Sequence, residues 1–199
     1  MSPFLSRSQD HGIKMNFGLA GTSIIHEPKL DSELKTGINI DFSYIRKISP
    51  YFFISGGLGF IQNGNISDII LTNENGERLG VAELKWEFDY VNFPIHFGFD
   101  YGGNFYFLAD LGIQPSFLLK SETKSDDDRF NHDVTDRIDK FDVSGKIRIG
   151  VGRYINEKFS SEINLAYQQS LKRTSTGHYQ LRHFGFLVNI GISYKLCKS

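Results

Sequence analysis

A single cysteine, Cys197, excludes an intramolecular disulfide, and its place just past the last apolar residue predicts a tail thiol without a role. No sign of charge dominates: 22 Lys and Arg stand against 23 Asp and Glu, so nothing argues for nucleic acid or for an anionic membrane surface as partner. Also missing is any stretch that reads as a membrane-spanning helix. The longest uncharged run, Ile48 to Ser67, contains Pro50, Asn63 and the glycines Gly56, Gly57, Gly59 and Gly64, which disfavour a span of ~20 apolar residues. A full signal peptide is absent as well, because Met1 to Ser8 offers only Pro3, Phe4 and Leu5 as apolar residues, against the ~7–15 that such a leader needs. Residues 1–11 are therefore expected to be a leader remnant, around Ser6-Arg7-Ser8-Gln9, or a disordered N-terminus.

What the chain has in abundance is alternation. Phe93, Ile95, Phe97 and Phe99 interleave with Pro94, His96, Gly98 and Asp100, and a two-residue beat of this kind marks a strand with one apolar and one polar side. The beat recurs in about eight segments. Ile13, Met15, Phe17 and Leu19 oppose Lys14, Asn16, Gly18 and Ala20; Ile38, Ile40, Phe42 and Tyr44 oppose Asn39, Asp41 and Ser43; Ile147, Ile149 and Val151 oppose Lys146 and Arg148. With 40% hydrophobic residues in 199, the chain is long and apolar enough for one domain with a closed sheet.

Connections alternate in length. Arg46 to Pro50, Tyr101 to Asn104 and Arg153 to Lys158 are short, whereas Gln62 to Trp86 (with a hairpin tip at Asn73 to Gly76, and Ile69, Leu71, Val81 and Leu84 continuing the strands beyond the membrane), Ser121 to Lys140 and Lys172 to Gln180 are long and polar. All long loops then lie at one end and all short turns at the other, the plan of a bacterial outer-membrane barrel. The expectation is an all-β fold, an eight-stranded antiparallel up-and-down transmembrane β-barrel over residues 12–197, located in the bacterial outer membrane. Closure is required because each unpaired backbone group in hydrocarbon costs several kcal/mol. Phe42, Tyr44, Phe99, Tyr101, Phe105, Phe107, Phe159 and Tyr194 sit beside short turns, where an interfacial girdle belongs.

The polar face carries Lys14, Lys35, Lys146, Arg148 and Lys195 against Asp41, Asp100, Asp110, Asp142 and Glu162, with His96 among them. An eight-stranded barrel is only wide enough to be filled by side chains, so these residues are expected to form a polar network that plugs the interior. Pro94 removes a ladder donor and predicts a bulge or bend, and His96 reads as a hydrogen-bonded interior histidine. Asp126-Asp127-Asp128, with Asp133, Asp136 and Asp139, lacks the ligand spacing of a calcium loop and reads as a solvated surface run. His26, His132, His178 and His183 fall at the long-loop end without a pattern that assigns them a metal. Lys172, Arg173 and Arg182 stand where lipopolysaccharide phosphates would be met. No catalytic, cofactor or metal residues are assigned.

Tyr90-Val91-Asn92-Phe93-Pro94-Ile95, closing a long loop, resembles the hydrophobic-x-hydrophobic-Pro-aliphatic stretch of the Bacteroidota outer-membrane barrel family often called PorT-like, and Phe105-Tyr106-Phe107 through Gly112 to Leu118-Leu119-Lys120 is similar to its fifth strand. The resemblance runs from about Gly12 to Leu196. It implies an eight-stranded outer-membrane protein, with one branch of the family linked to a secretion system, and it carries over no catalytic residue. The ending Cys197-Lys198-Ser199 departs from the aromatic end of many such barrels.

Three functions compete. The first is a non-enzymatic barrel with a structural, surface-interaction or secretion-associated role, partnered by outer-membrane lipid, lipopolysaccharide and envelope or secretion-system proteins. The second is a small outer-membrane enzyme acting on lipid or peptide through loop histidines and carboxylates. The third is a soluble lipocalin-like barrel, in which the apolar face would line the lumen.

Overall fold

Residues with a branched or aromatic side chain at every second position suit a pleated wall, and the chain lays them down as long strands. The computed structural model describes residues 11–27, 33–73, 75–125, 131–176 and 179–196. Its strands are β1 (His11–Glu27), β2 (Glu33–Lys47), β3 (Phe52–Thr72), β4 (Arg78–Asn92), β5 (Ile95–Gly102), β6 (Phe105–Ser125), β7 (His132–Asp133), β8 (Phe141–Tyr154), β9 (Phe159–Ser170), β10 (Thr174–Thr176) and β11 (Tyr179–Leu196), with a 3-10 turn at Thr135–Arg137. Among the described residues no helix is long and apolar enough to cross a membrane.

Each wall strand runs antiparallel to its neighbours, and β1 closes on β11 from His11↔Leu196 to Glu27↔Gln180. The ring has eight members, β1, β2, β3, β4 with β5, β6, β8, β9 and β11, as the alternation implies. β4 and β5 are one wall strand interrupted at Phe93 and Pro94. Both pair with β3, at Gly59↔Asn92 and Gly56↔Ile95, and with β6, at Asn92↔Ser116 and Ile95↔Ile113. Register is the same on either side of Pro94, so of the expected bulge or bend no bulge is there, and the strand is only interrupted. The proline removes one donor, while its own carbonyl accepts the Gly57 N–H at 3.1 Å. Register shifts occur instead between Leu34 and Asn39 of β2 and between Asp89 and Tyr90 of β4.

The apolar face points outward. Phe17, Leu111, Ile147 and Ile190 are each more than half exposed, which is costly in water and favourable in hydrocarbon. The soluble alternative, which needs these residues in the lumen, fails on this orientation. At the short-turn end Tyr51 packs 5.6 Å from Tyr101, Phe159 packs 4.9 Å from Tyr194, and the Arg153 guanidinium covers the Phe105 ring at 5.2 Å, forming the aromatic girdle.

Towards the long-loop end the pattern inverts. Above Val91 the outer face of β4 carries Asp89, Glu87, Lys85 and Glu83, and beyond Leu119 the outer face of β6 carries Lys120, Glu122 and Lys124. Trp86, Phe88 and Tyr90 meanwhile turn inward. The walls of β3, β4 and β6 thus pass out of hydrocarbon into water, and alternation follows the solvent on each side.

Candidate functional site

Parity places the polar residues of every strand inside a narrow ring, where each needs a partner because burial without one is costly. Across the middle of the lumen Lys146 Nζ of β8 reaches Asp41 of β2 at 3.2 Å, and these strands stand four places apart in the ring of eight, on opposite walls. Two further ties span opposite walls nearer the loops: Gln168 of β9 donates to Asn63 of β3 at 3.1 Å, and Tyr90 of β4 shares a 3.3 Å hydrogen bond with His183 Nε2 of β11. Such cross-struts fix the section of the barrel and occupy its axis.

Neighbouring walls are tied by charge. Arg148 pairs with Asp110 at 2.6 Å, and His96 Nδ1 meets the other oxygen of the same carboxylate at 2.7 Å. Asp110 is thus the partner of both Arg148 and His96. Lys14 pairs with Glu162 at 2.8 Å. Asp142 accepts from Ser170 Oγ at 2.6 Å and from the Val143 N–H at 2.8 Å. Lys35 is buried but bonds Glu87 at 3.3 Å near the loop end, and Asp100, partly exposed, pairs with Lys47 at the other end. Lys195, counted with the inward charges, is exposed at the short-turn rim, because the barrel has ended there and no lumen remains to enclose it.

Charge-counting overlooked the asparagines that join these pairs. Asn39 donates to Asp41 and to Asn189 Oδ1 (3.2 and 3.0 Å), Asn189 donates to Asn164 (2.9 Å), and Asn164 donates to Glu162 (3.1 Å). One hydrogen-bonded chain therefore runs from Lys146 to Lys14. All three asparagines share the inward parity, so the signal was present in their spacing.

Nearer the loops the lumen turns apolar. Ile24, Phe88, Tyr90, Leu118 and Leu187 pack with Val134 and Ile138 from the segment leading into β8, and Trp86 stacks against Phe88 at 6.2 Å. His183, placed by the sequence among loop histidines, is buried here, edge-on to Phe88 at 4.8 Å. His132, Asp133 and Asp136 are exposed, and among the described residues no three His, Cys, Asp or Glu side chains gather as a metal site. Asp126 to Asp128, His178, Cys197 and residues 1–10 lie outside the described residues, as does the side chain of His26.

At the short-turn end the lumen is open. A cavity of about 810 Å³ runs inward from the turns at Ser49, Gly103 and Glu157 to Lys14, Leu108 and Glu162. Its walls include Tyr106, Tyr154 and Phe53. A Cβ on Gly152 would lie 2.2 Å from the Tyr106 ring, and one on Gly98 would lie 2.2 Å from the Phe53 ring, so these two glycines let the rings lie flat against the wall.

Long apolar-out strands, a closed ring, girdles and a polar filled lumen are the features of a membrane barrel, and a family model for the outer membrane protein β-barrel domain matches residues 7–174. The chain belongs to that family. As a member of the outer membrane protein β-barrel family it resides in the bacterial outer membrane, where barrels of this architecture keep their short turns in the periplasm and their long loops outside. Comparison with curated proteins returns no match. Among solved structures the chain is similar to the outer membrane protease OmpT from Escherichia coli (9% identity, 98% of this chain and 99% of that chain covered, TM-score 0.56) and to Neisserial surface protein A (10% identity, 94% and 97% covered, TM-score 0.53). At these identities the likeness is one of fold.

Proposed function

We propose that this outer-membrane barrel is a non-enzymatic protein that works through its surface, in a structural, surface-interaction or secretion-associated role, rather than by passing solutes. The observation that carries the reading is the lumen crossed by Lys146–Asp41, Gln168–Asn63 and Tyr90–His183 and capped by the apolar cluster around Phe88, an arrangement suited to rigidity and unsuited to flow. The exterior offers the complementary surface: walls that rise beyond the hydrocarbon and carry Glu83, Lys85, Lys120 and Lys124 at the level of lipid headgroups. Lipopolysaccharide and outer-membrane lipid are the partners this rim suits, and envelope or secretion-system proteins are the partners of the loops. The Tyr90–Ile95 and Phe105–Lys120 segments support the finer assignment to PorT-like barrels of the Bacteroidota.

Reconstitution into planar bilayers tests this reading. The expected record is the baseline of protein-free lipid; stepwise openings of uniform conductance from the folded, heat-modifiable species would overturn the plugged-lumen reading. Peptide or lipid hydrolysis by the same preparation, abolished by His132→Ala, would overturn the non-enzymatic one.

A further inference from the structure

The periplasmic cavity has properties that a merely plugged barrel does not need. Its volume of about 810 Å³ falls within the range of small-molecule sites, and it is made by the sequence, since Gly98 and Gly152 hold two aromatic rings against the wall where larger residues would push them into the opening. Tyr106 and Tyr154 pack at 5.0 Å on one side, and Phe53 lies beneath Lys14 and Lys47, whose ammonium groups each stand 5.8 Å from its ring centre. At the closed end Lys14 is buried and gives one N–H to Glu162, while an ammonium has three to give. Lys158 and Lys195 line the mouth, so cationic groups facing the cavity outnumber the carboxylates Asp100, Glu157 and Glu162.

We propose that this cavity binds a small organic carboxylate with a ring or short hydrocarbon body, its acid group on the remaining donors of Lys14 and its body between Phe53, Tyr106 and Tyr154. A charge-assisted bond deep in a semi-enclosed cup supplies orientation, and the rings supply apolar area at little entropic cost. A neutral or cationic analogue of the same body leaves the Lys14 donors without an acceptor and is bound less well. Ligands of this chemistry have two sources: water-soluble aromatic acids of the periplasm, and fatty acids released from the bilayer.

The test uses the full chain refolded into lipid nanodiscs, with 4-(4-fluorophenyl)butyrate followed by fluorine NMR and empty nanodiscs as reference. Saturable binding is expected, weakened about tenfold or more for the corresponding amide and amine. A similar loss is expected in Lys14→Met, and in Gly152→Ala, where the displaced Tyr106 ring occupies the cup. Should Lys14→Met fail to give the compact band, Lys14→Met with Glu162→Gln removes the same donor without stranding a carboxylate. Displacement by dodecanoate at lower concentration than by unlabelled phenylbutyrate supports the proposal and identifies the bilayer as source; the reverse order supports it and identifies a soluble acid. Binding equal for acid and amine, binding unchanged in both folded variants, or no saturable signal above empty nanodiscs would each overturn it.

Discussion

The Lys146–Asp41 strut is the point at which the stability of the barrel is most open to attack. Both side chains are nearly inaccessible (1% and 7%), the ammonium lies 3.2 Å from the carboxylate, and Asn39 supplies the only other bond to that oxygen among the described contacts. Replacing Lys146 by Met keeps most of the volume and leaves a buried carboxylate without its cation, a change that typically costs about 3–5 kcal/mol. This corresponds to roughly a hundred- to a few-thousand-fold in the folded-to-unfolded ratio, and to a fall of roughly 1–3 M in the urea midpoint. Replacing both partners, as Asp41→Leu with Lys146→Met, removes the uncompensated charge, and the double variant is expected within about 1 kcal/mol of the parent or above it. The assay is urea unfolding in lipid vesicles, scored by the heat-modifiable band in SDS gels. A single variant within about 1 kcal/mol of the parent, or a double variant as damaged as the single, would refute the view that this strut is a desolvated pair holding opposite walls.

Other expectations follow the layers of the barrel. Leu165→Arg, midway along the outer face of β9, is expected to cost about 2–4 kcal/mol in a bilayer, whereas Val81→Arg, above the hydrocarbon, costs little; equal effects would contradict the orientation. Tyr90→Phe removes the hydroxyl bonded to His183 and is expected to lower stability by about 1 kcal/mol, measured by the same gel assay. At the loop-end rim, partial burial pushes the Glu87 carboxyl up, but the hydrogen bond from Lys124 and the nearby Lys35 outweigh it and hold it below the ordinary value of 4.5. For a carboxyl depressed by folding, the stabilisation is complete above its unfolded pKa and is lost as pH falls through the folded one. The rim should therefore be insensitive to pH above about 5 and loosen below about 4. Glu87→Gln, compared with the parent by proteolysis of β4 and β6 across that range, should remove the dependence.

Sequence and structure part company where the solvent changes. Alternation is legible because lipid outside and polar packing inside impose opposite demands on successive side chains, and that rule recovers the strands from Ile13 in β1 to Tyr194 in β11. Along β4 the same rule misleads: Trp86, Phe88 and Tyr90 alternate with Lys85, Glu87 and Asp89 just as lipid-facing residues do, yet water replaces lipid outside and the aromatics turn inward. Residues 62–86 read as a polar excursion in which Ile69, Leu71, Val81 and Leu84 carry the strands beyond the membrane, and the chain does continue the wall through Thr72 and back from Arg78. His183 was misread for the same reason, since closeness to a long loop in sequence says nothing about which side of the wall a residue faces.

By itself the sequence determined the class of fold, the closure and the lipid-facing stripe, because each depends only on the period of two and on the length of the connections; of the charges it placed inward, Asp100 and Lys195 stand at the short-turn rim instead. Which charge meets which was left to the tertiary structure. Asp41 and Lys146 are 105 positions apart in the chain and come together only when eight strands close at one register. The register of the β5–β6 hairpin decides that His96 bonds Asp110, and closure decides that Asn39, Asn189 and Asn164 join two ion pairs into one chain and that the lumen is filled at the loop end but open at the short-turn end. These outcomes depend on strand stagger and barrel radius, quantities that alternation does not encode.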